Sequence, residues 1–161
     1  MFFFSCSQNY QKEISYAPIK KIIPLEKKSL NGTFTSLKGE STLLTQYDNQ
    51  PLVLMFVGFF CWTCVEEVES LKASLSNSIP KNIKFLSILI EEDPEVGQEW
   101  QEEHQVPWTV GTDPNGDLFD KYCQEPTTPC IILFDPQKGI VLRKTGKVSV
   151  DQIKSLLGDW S

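Results

Sequence analysis

The chain contains one histidine, His104, in 161 residues, and no C-x-x-C pair other than Cys61-Trp62-Thr63-Cys64. A structural zinc site takes about four ligands, usually two such knuckles or a knuckle with a paired histidine. The sequence supplies neither, so no metal centre is expected. No stretch approaches the roughly 18 apolar residues that a membrane-spanning helix needs. Positive charge is also in deficit, with 15 Lys and Arg against 21 Asp and Glu and a net charge of −6. A field of that sign argues against nucleic acid and anionic membrane surfaces as partners. What remains, at 40% hydrophobic content, is enough for one domain with its own core.

The stretch with the clearest chemistry is Pro51–Glu67, PLVLMFVGFFCWTCVEE. Leu52–Val57 is an unbroken apolar run of the length expected of a strand buried on both faces. Beyond Gly58-Phe59-Phe60 the period changes: Val65, Val68, Leu71 and Leu75 recur at helical spacing with Glu66, Glu67, Glu69 and Lys72 between them. A C-x-x-C pair at that junction puts Cys61 at a helix N-terminus, where unpaired N–H groups and the macrodipole favour a thiolate. Cys64, within the first turn, can close a disulfide on it. The competing readings, half a zinc site or two inert buried cysteines, have less support from the strand-to-helix setting.

Before this centre, Met1–Ser7 (MFFFSCS) fits the end of a bacterial lipoprotein signal, with Cys6 as the lipidated residue. It lacks a basic start and its apolar tract falls short of the usual roughly 7–15 residues, so an incidental cysteine in an apolar N-terminus is the alternative. The anchor is the favoured reading, with residues 1–28 as signal remnant and tether and 29–161 as the folded domain. Asn31-Gly32 within SLNGTFTSL signals a small N-terminal β-hairpin. Gly39–Gln50 reads as a connection.

After the C-x-x-C helix, which is expected to fade near Asn77–Pro80, Lys84–Ile90 reads as a strand and Pro94–Gln105 as a short acidic helix ending at His104. Val106–Gly116 reads as a turn-rich loop, Asp117–Cys123 as one or two helical turns, and Cys130–Phe134 as a buried strand entered through Thr128-Pro129. Pro136–Gly139 makes a hairpin turn into Ile140–Gly146, and Ser149–Trp160 is the last helix, with Ser149 and Gln152 as a capping box. This order predicts an α/β fold, a mixed central sheet with helices on both faces.

The strand-then-CWTC junction, Glu67 three positions after Cys64, Asp113–Asp117 (DPNGD) ahead of Tyr122, Thr128-Pro129 before a strand, Phe134-Asp135 with Gly139, and Gly146 before the last helix occur here in a specific order. In that order they resemble the thioredoxin superfamily, and within it the TlpA/ResA-like extracytoplasmic thiol-disulfide oxidoreductases, over about residues 30–160. The resemblance implies a thioredoxin-like fold and a cis Thr128-Pro129 bond facing the C-x-x-C loop. Phe60 stands where tryptophan is common, Glu69 where the first helix commonly has proline, and Met55 where thioredoxins proper carry a buried aspartate.

The resemblance further implies a monomeric enzyme of the periplasm or cell envelope, lipid-anchored if Cys6 is modified, needing no cofactor and no metal. It would reduce disulfide-bearing proteins and draw electrons from a membrane or soluble thiol donor. Cys61 is the implied nucleophile and Cys64 the resolving thiol, with Glu67 as proton acceptor and Pro129 orienting the substrate. Trp62, Thr63 and Thr128 contact substrate or tune the pair. A peroxiredoxin-type peroxidase is the alternative, but its P-x3-T-x2-C pattern would need proline at Val57 and threonine at Cys61. A copper-binding redox chaperone would rest on His104 alone. Cys123 and Cys130 are left over; two buried thiols are the simpler account, and a second disulfide between them is conceivable.

Overall fold

The computed structural model describes residues 29–75 and 80–159. The anchor and tether expected at 1–28, residues 76–79 and Trp160 lie outside the described residues. Among these described residues, seven strands form one sheet: β1 (Thr33–Ser36), β2 (Ser41–Leu43), β3 (Leu52–Val57), β4 (Lys84–Ile90), β5 (Thr109–Asp113), β6 (Cys130–Asp135) and β7 (Gly139–Thr145). Their order is β2-β1-β5-β4-β3-β6-β7. The β3–β4 and β4–β5 pairs are parallel, and the other pairs are antiparallel. The described residues also form four α-helices: α1 (Trp62–Ser74), α2 (Pro94–Glu103), α3 (Asp117–Tyr122) and α4 (Val150–Leu157).

β3 lies inside the sheet between β4 and β6, and all six of its residues are buried. Alternation along it divides the core in two. Val53, Met55 and Val57 pack with Cys64, Val68 and Leu71 of α1, Trp100 of α2 and Ile153 of α4. Leu52, Leu54 and Phe56 face the other way, toward Leu118, Phe119 and Tyr122 of α3 and Leu44 of a 3-10 turn at Leu44–Tyr47. A strand covered on both sides has no solvent face to mark with polar residues, which is why it reads as one apolar run.

Two local expectations are corrected. The N-terminal hairpin exists, but it turns at residues 37–40, with Gly39 at φ 83°, and not at Asn31-Gly32, which precedes β1, so that its second strand, β2, and the 3-10 turn after it occupy the Gly39–Gln50 segment read as a connection. The segment read as a loop around Trp108–Val110 contains β5, parallel to β4 and antiparallel to β1. Its sequence, TVGTD, has little apolar character, and at Gly111 the reason is packing: the ring of Phe34 from β1 lies directly over it, where any side chain would collide.

The end of β5 also builds α3. The buried Asp113 carboxylate accepts hydrogen bonds from Leu118 N–H at 3.0 Å and Phe119 N–H at 2.9 Å, capping a helix whose own N-cap residue, Gly116, has no side chain. Asp113→Ala should therefore lower unfolding stability by about 1–2 kcal/mol. A lower urea midpoint with an unchanged denaturant slope would record this, whereas an unchanged midpoint would show the cap to be dispensable.

Candidate active site

β3 ends at Val57, and Gly58-Phe59-Phe60 carries the chain out of the sheet to Cys61, the N-cap of α1. Cys61 and Cys64 form a disulfide with Cα atoms 5.2 Å apart. The Cys61 sulfur accepts a hydrogen bond from Cys64 N–H at 3.2 Å, one of the N–H groups that a helix start leaves unpaired. Thr63 Oγ1 lies 3.4 Å from the same sulfur; a disulfide sulfur carries no hydrogen, so the hydroxyl donates. Both contacts would strengthen if Cys61 became a thiolate, because hydrogen bonds to charged acceptors are the stronger ones. Cys61 is half-buried and Cys64 fully buried, so Cys61 is the more accessible of the two sulfurs.

Beside Cys61 is a depression of about 280 Å³ lined by Phe59, Phe60, Cys61, Trp62, Val65, Glu103 and His104. Phe60 is 94% exposed and Trp62 74% exposed. Large aromatic side chains held out in water suit contact with another protein. One turn beyond Trp62 on α1, Glu66 pairs with the β7–α4 connection: Lys147 Nζ lies 2.5 Å from Glu66 Oε2. The Lys147 contact holds the Glu66 carboxyl below its usual range. His104, separate from every motif in the sequence, is brought to the wall of the depression and lies edge-on to Trp100 at 5.3 Å. Among the described residues, no group of three or more His, Cys, Asp or Glu is placed to hold a metal ion.

Glu67, one turn beyond Cys64 on α1, is 2% exposed. Burial pushes its carboxyl above the ordinary value of 4.5. A hydrogen bond from Val148 N–H at 3.2 Å and the charges of Lys147 and Lys144 pull the other way. A buried carboxyl so placed is suited to taking a proton. Val148 belongs to the β7–α4 connection, and that connection reaches a third part of the site, since Gly146 N–H donates to Pro129 C=O at 2.8 Å. The Thr128-Pro129 peptide bond is cis. Thr128 Oγ1 and Cys61 Cβ both lie against Gly58, so a Cβ added there would stand 3.3 Å and 3.5 Å from them.

The structure therefore brings Cys61, Trp62, Thr63, Cys64, Glu67, Thr128 and Pro129 to the C-terminal rim of β3. It corrects the expectation for Cys123 and Cys130. They are not two buried thiols but a disulfide, with Cα atoms 6.2 Å apart. The end of α3 and the start of β6 converge because both pack on Phe56: Cys130 is its partner in the sheet, and the Phe119 and Tyr122 rings lie 5.9 Å and 6.4 Å from the Phe56 ring. Glu66, Lys147 and Val148 were not anticipated in the sequence. Nothing in the spacing suggested Lys147 or Val148.

Residues 25–143 match the AhpC/TSA family. The chain belongs to the AhpC/TSA family. No curated protein matches this family member over its sequence. Among solved structures it is similar to MTB dsbF in its mixed oxidized and reduced forms, at 19% identity and a TM-score of 0.67, covering 80% of this chain and 93% of that one. It is similar also to a secreted Mycobacterium tuberculosis disulfide oxidoreductase homologous to E. coli DsbE, at 22% identity and a TM-score of 0.62, covering 79% and 94%. StoA from Bacillus subtilis gives 17% identity and a TM-score of 0.61 over 78% and 94%. At these identities the likeness is one of fold: this AhpC/TSA chain is thioredoxin-like, with its mixed seven-stranded sheet flanked by helices on both faces.

Proposed function

We propose that the protein is a thiol-disulfide oxidoreductase acting outside the cytoplasm, where it reduces disulfides of other proteins through Cys61 and Cys64. The observation that carries this reading is the asymmetric pair at the start of α1, with one sulfur accessible beside exposed aromatic side chains and its partner buried near a buried carboxyl. In the reduced enzyme, the Cys61 thiolate attacks one sulfur of a substrate disulfide, forming a mixed disulfide and expelling the other substrate sulfur as a thiolate. Cys64 then gives its proton to the Glu67 carboxylate and attacks the Cys61 sulfur. The Cys61–Cys64 disulfide forms, the second substrate thiolate leaves, and two electrons have passed to the substrate. A dithiol donor restores the enzyme by the reverse exchange.

Trp62, Thr63, Thr128 and Pro129 would hold the substrate chain against Cys61. Two disulfides in one domain support an oxidising compartment, and one of the structural neighbours is described as secreted. Among the described residues no helix is long and apolar enough to cross a membrane; the attachment proposed for this protein is lipidation of Cys6. A peroxidase using Cys64 has less support, because that sulfur is fully buried and Val57, a buried strand residue, stands where the peroxidase pattern has proline.

The deciding assay is reduction of insulin disulfides with a dithiol donor. The wild type should accelerate it well above the donor alone, and Cys61→Ser should return the rate to that of the donor. Stoichiometric copper binding without insulin reduction would replace this reading with that of a copper chaperone.

A further inference from the structure

The Cys123–Cys130 disulfide closes a loop, residues 124–129, that carries Thr128 and the cis proline toward Cys61. Residues 124–127 are exposed, and among the described residues the backbone hydrogen bond formed within the loop, Thr127 N–H to Glu125 C=O at 2.8 Å, ties the loop only to itself. Its two ends are held well. Cys123 N–H donates to Phe119 C=O at 2.8 Å, Gly146 N–H donates to Pro129 C=O, and Cys130 is 1% exposed between Phe56 and Thr145. The crosslink joins these two anchored ends directly, so it limits how far the exposed loop can depart from Gly58 and Cys61.

The same bridge is poorly placed to exchange. Cys64 packs with Val53, Met55 and Val57 on one side of the sheet, while Cys130 packs with Leu54, Phe56 and Ile132 on the other. The sheet stands between the two pairs. An external thiolate could approach only the half-buried Cys123, and its attack would expel Cys130 as a thiolate inside an apolar cluster, where charge is disfavoured and departure is slow. Attack on Cys130 itself is blocked by its burial.

We propose that Cys123–Cys130 is a crosslink that stays closed through the catalytic cycle and presets the Thr128-Pro129 loop for docking protein disulfides, making Cys123 and Cys130 positioning residues. This rests on the oxidoreductase reading for its docking half and on burial for its inert half. The inert half is tested on the wild type by stepwise reduction with dithiothreitol, alkylation and peptide mapping. Cys61 and Cys64 should be fully alkylated while the peptide joining Cys123 to Cys130 is still intact. Opening of that bridge together with, or before, Cys61–Cys64 would overturn the proposal.

The docking half is tested with the Cys123→Ala/Cys130→Ala double variant. Its KM for insulin should rise roughly three- to tenfold, as expected when a loop must be ordered on binding, with kcat within about twofold and the rate of Cys61 alkylation by iodoacetamide unchanged. An unchanged KM, or an equal loss of reactivity toward iodoacetamide and insulin, would overturn it. A wild type that reduces no insulin would instead sink the oxidoreductase reading, and the order of alkylation would still decide whether the bridge is inert.

Discussion

Cys64→Ser should hold a disulfide substrate as a covalent adduct on Cys61, and its steady-state turnover should fall by roughly 10³-fold, as when one member of a catalytic unit is lost. The expectation follows from the different exposure of the two sulfurs. Cys61 caps α1, is open to the depression beside Phe60 and Trp62, and has the Cys64 N–H and the Thr63 hydroxyl to stabilise its charge. Cys64 is fully buried beneath it, so its partner within reach is the Cys61 sulfur. With serine at 64, the mixed disulfide has lost its intramolecular resolving thiol. Cys61→Ser should trap little, since a protein substrate cannot reach residue 64. Non-reducing gels followed by mass mapping of the adduct separate the variants, and equal trapping by both would refute the division of roles.

The parts of the fold that could be read in the sequence are those where burial and period agree. β3, β4 and β6 are inside the sheet with both faces covered, and their apolar runs coincide with the strands to within a residue. β5 is central too, but Thr112 and Asp113 are polar residues buried there, Asp113 as the cap of α3, and Gly111 makes room for Phe34. Its composition answers to neighbours distant in sequence, so local pattern misreads it. Asn31-Gly32 misled for a related reason: hairpin chemistry is necessary for a tight turn but does not say which strands pair, and β1 pairs with the residues after Gly39.

The site divides in the same way. The Cys61–Cys64 pair is legible because a strand, a C-x-x-C pair and a helix lie together in the sequence, where geometry follows from spacing. The Cys123–Cys130 bridge was not, because seven residues of separation allow many distances, and the 6.2 Å found here is set by two elements converging on Phe56. Glu67 is an intermediate case. Its position one turn beyond Cys64 was visible, whereas its burial, decided by the β7–α4 connection closing over it, was not.

That burial makes Glu67→Gln the most informative single change, because stability and catalysis should move in opposite directions. In the folded protein the Glu67 carboxyl binds its proton more tightly than at its ordinary value of 4.5, chiefly because burial disfavours the charge. A group of this kind contributes stability that is fully present below pH 4.5 and is lost as the pH rises through its elevated folded value. The wild type should therefore lose stability across that window, and the neutral amide should not. Glutamine keeps an oxygen for the Val148 N–H, so the variant should unfold at a higher urea concentration than the wild type at pH 7, with a flatter pH profile. Asp113, which burial also pushes above its ordinary 3.8, leaves some residual slope. Catalysis should suffer, because Cys64 must lose a proton before it can attack the mixed disulfide and an amide cannot accept one. Resolution near neutral pH should slow by about 10²-fold, recovering at alkaline pH as hydroxide takes the proton, while the initial attack by Cys61 is unaffected. Stopped-flow measurement of the two steps against pH distinguishes this from a purely structural role: unchanged resolution at every pH, with the stability gain intact, would leave Glu67 as a buried acceptor for Val148 and nothing more.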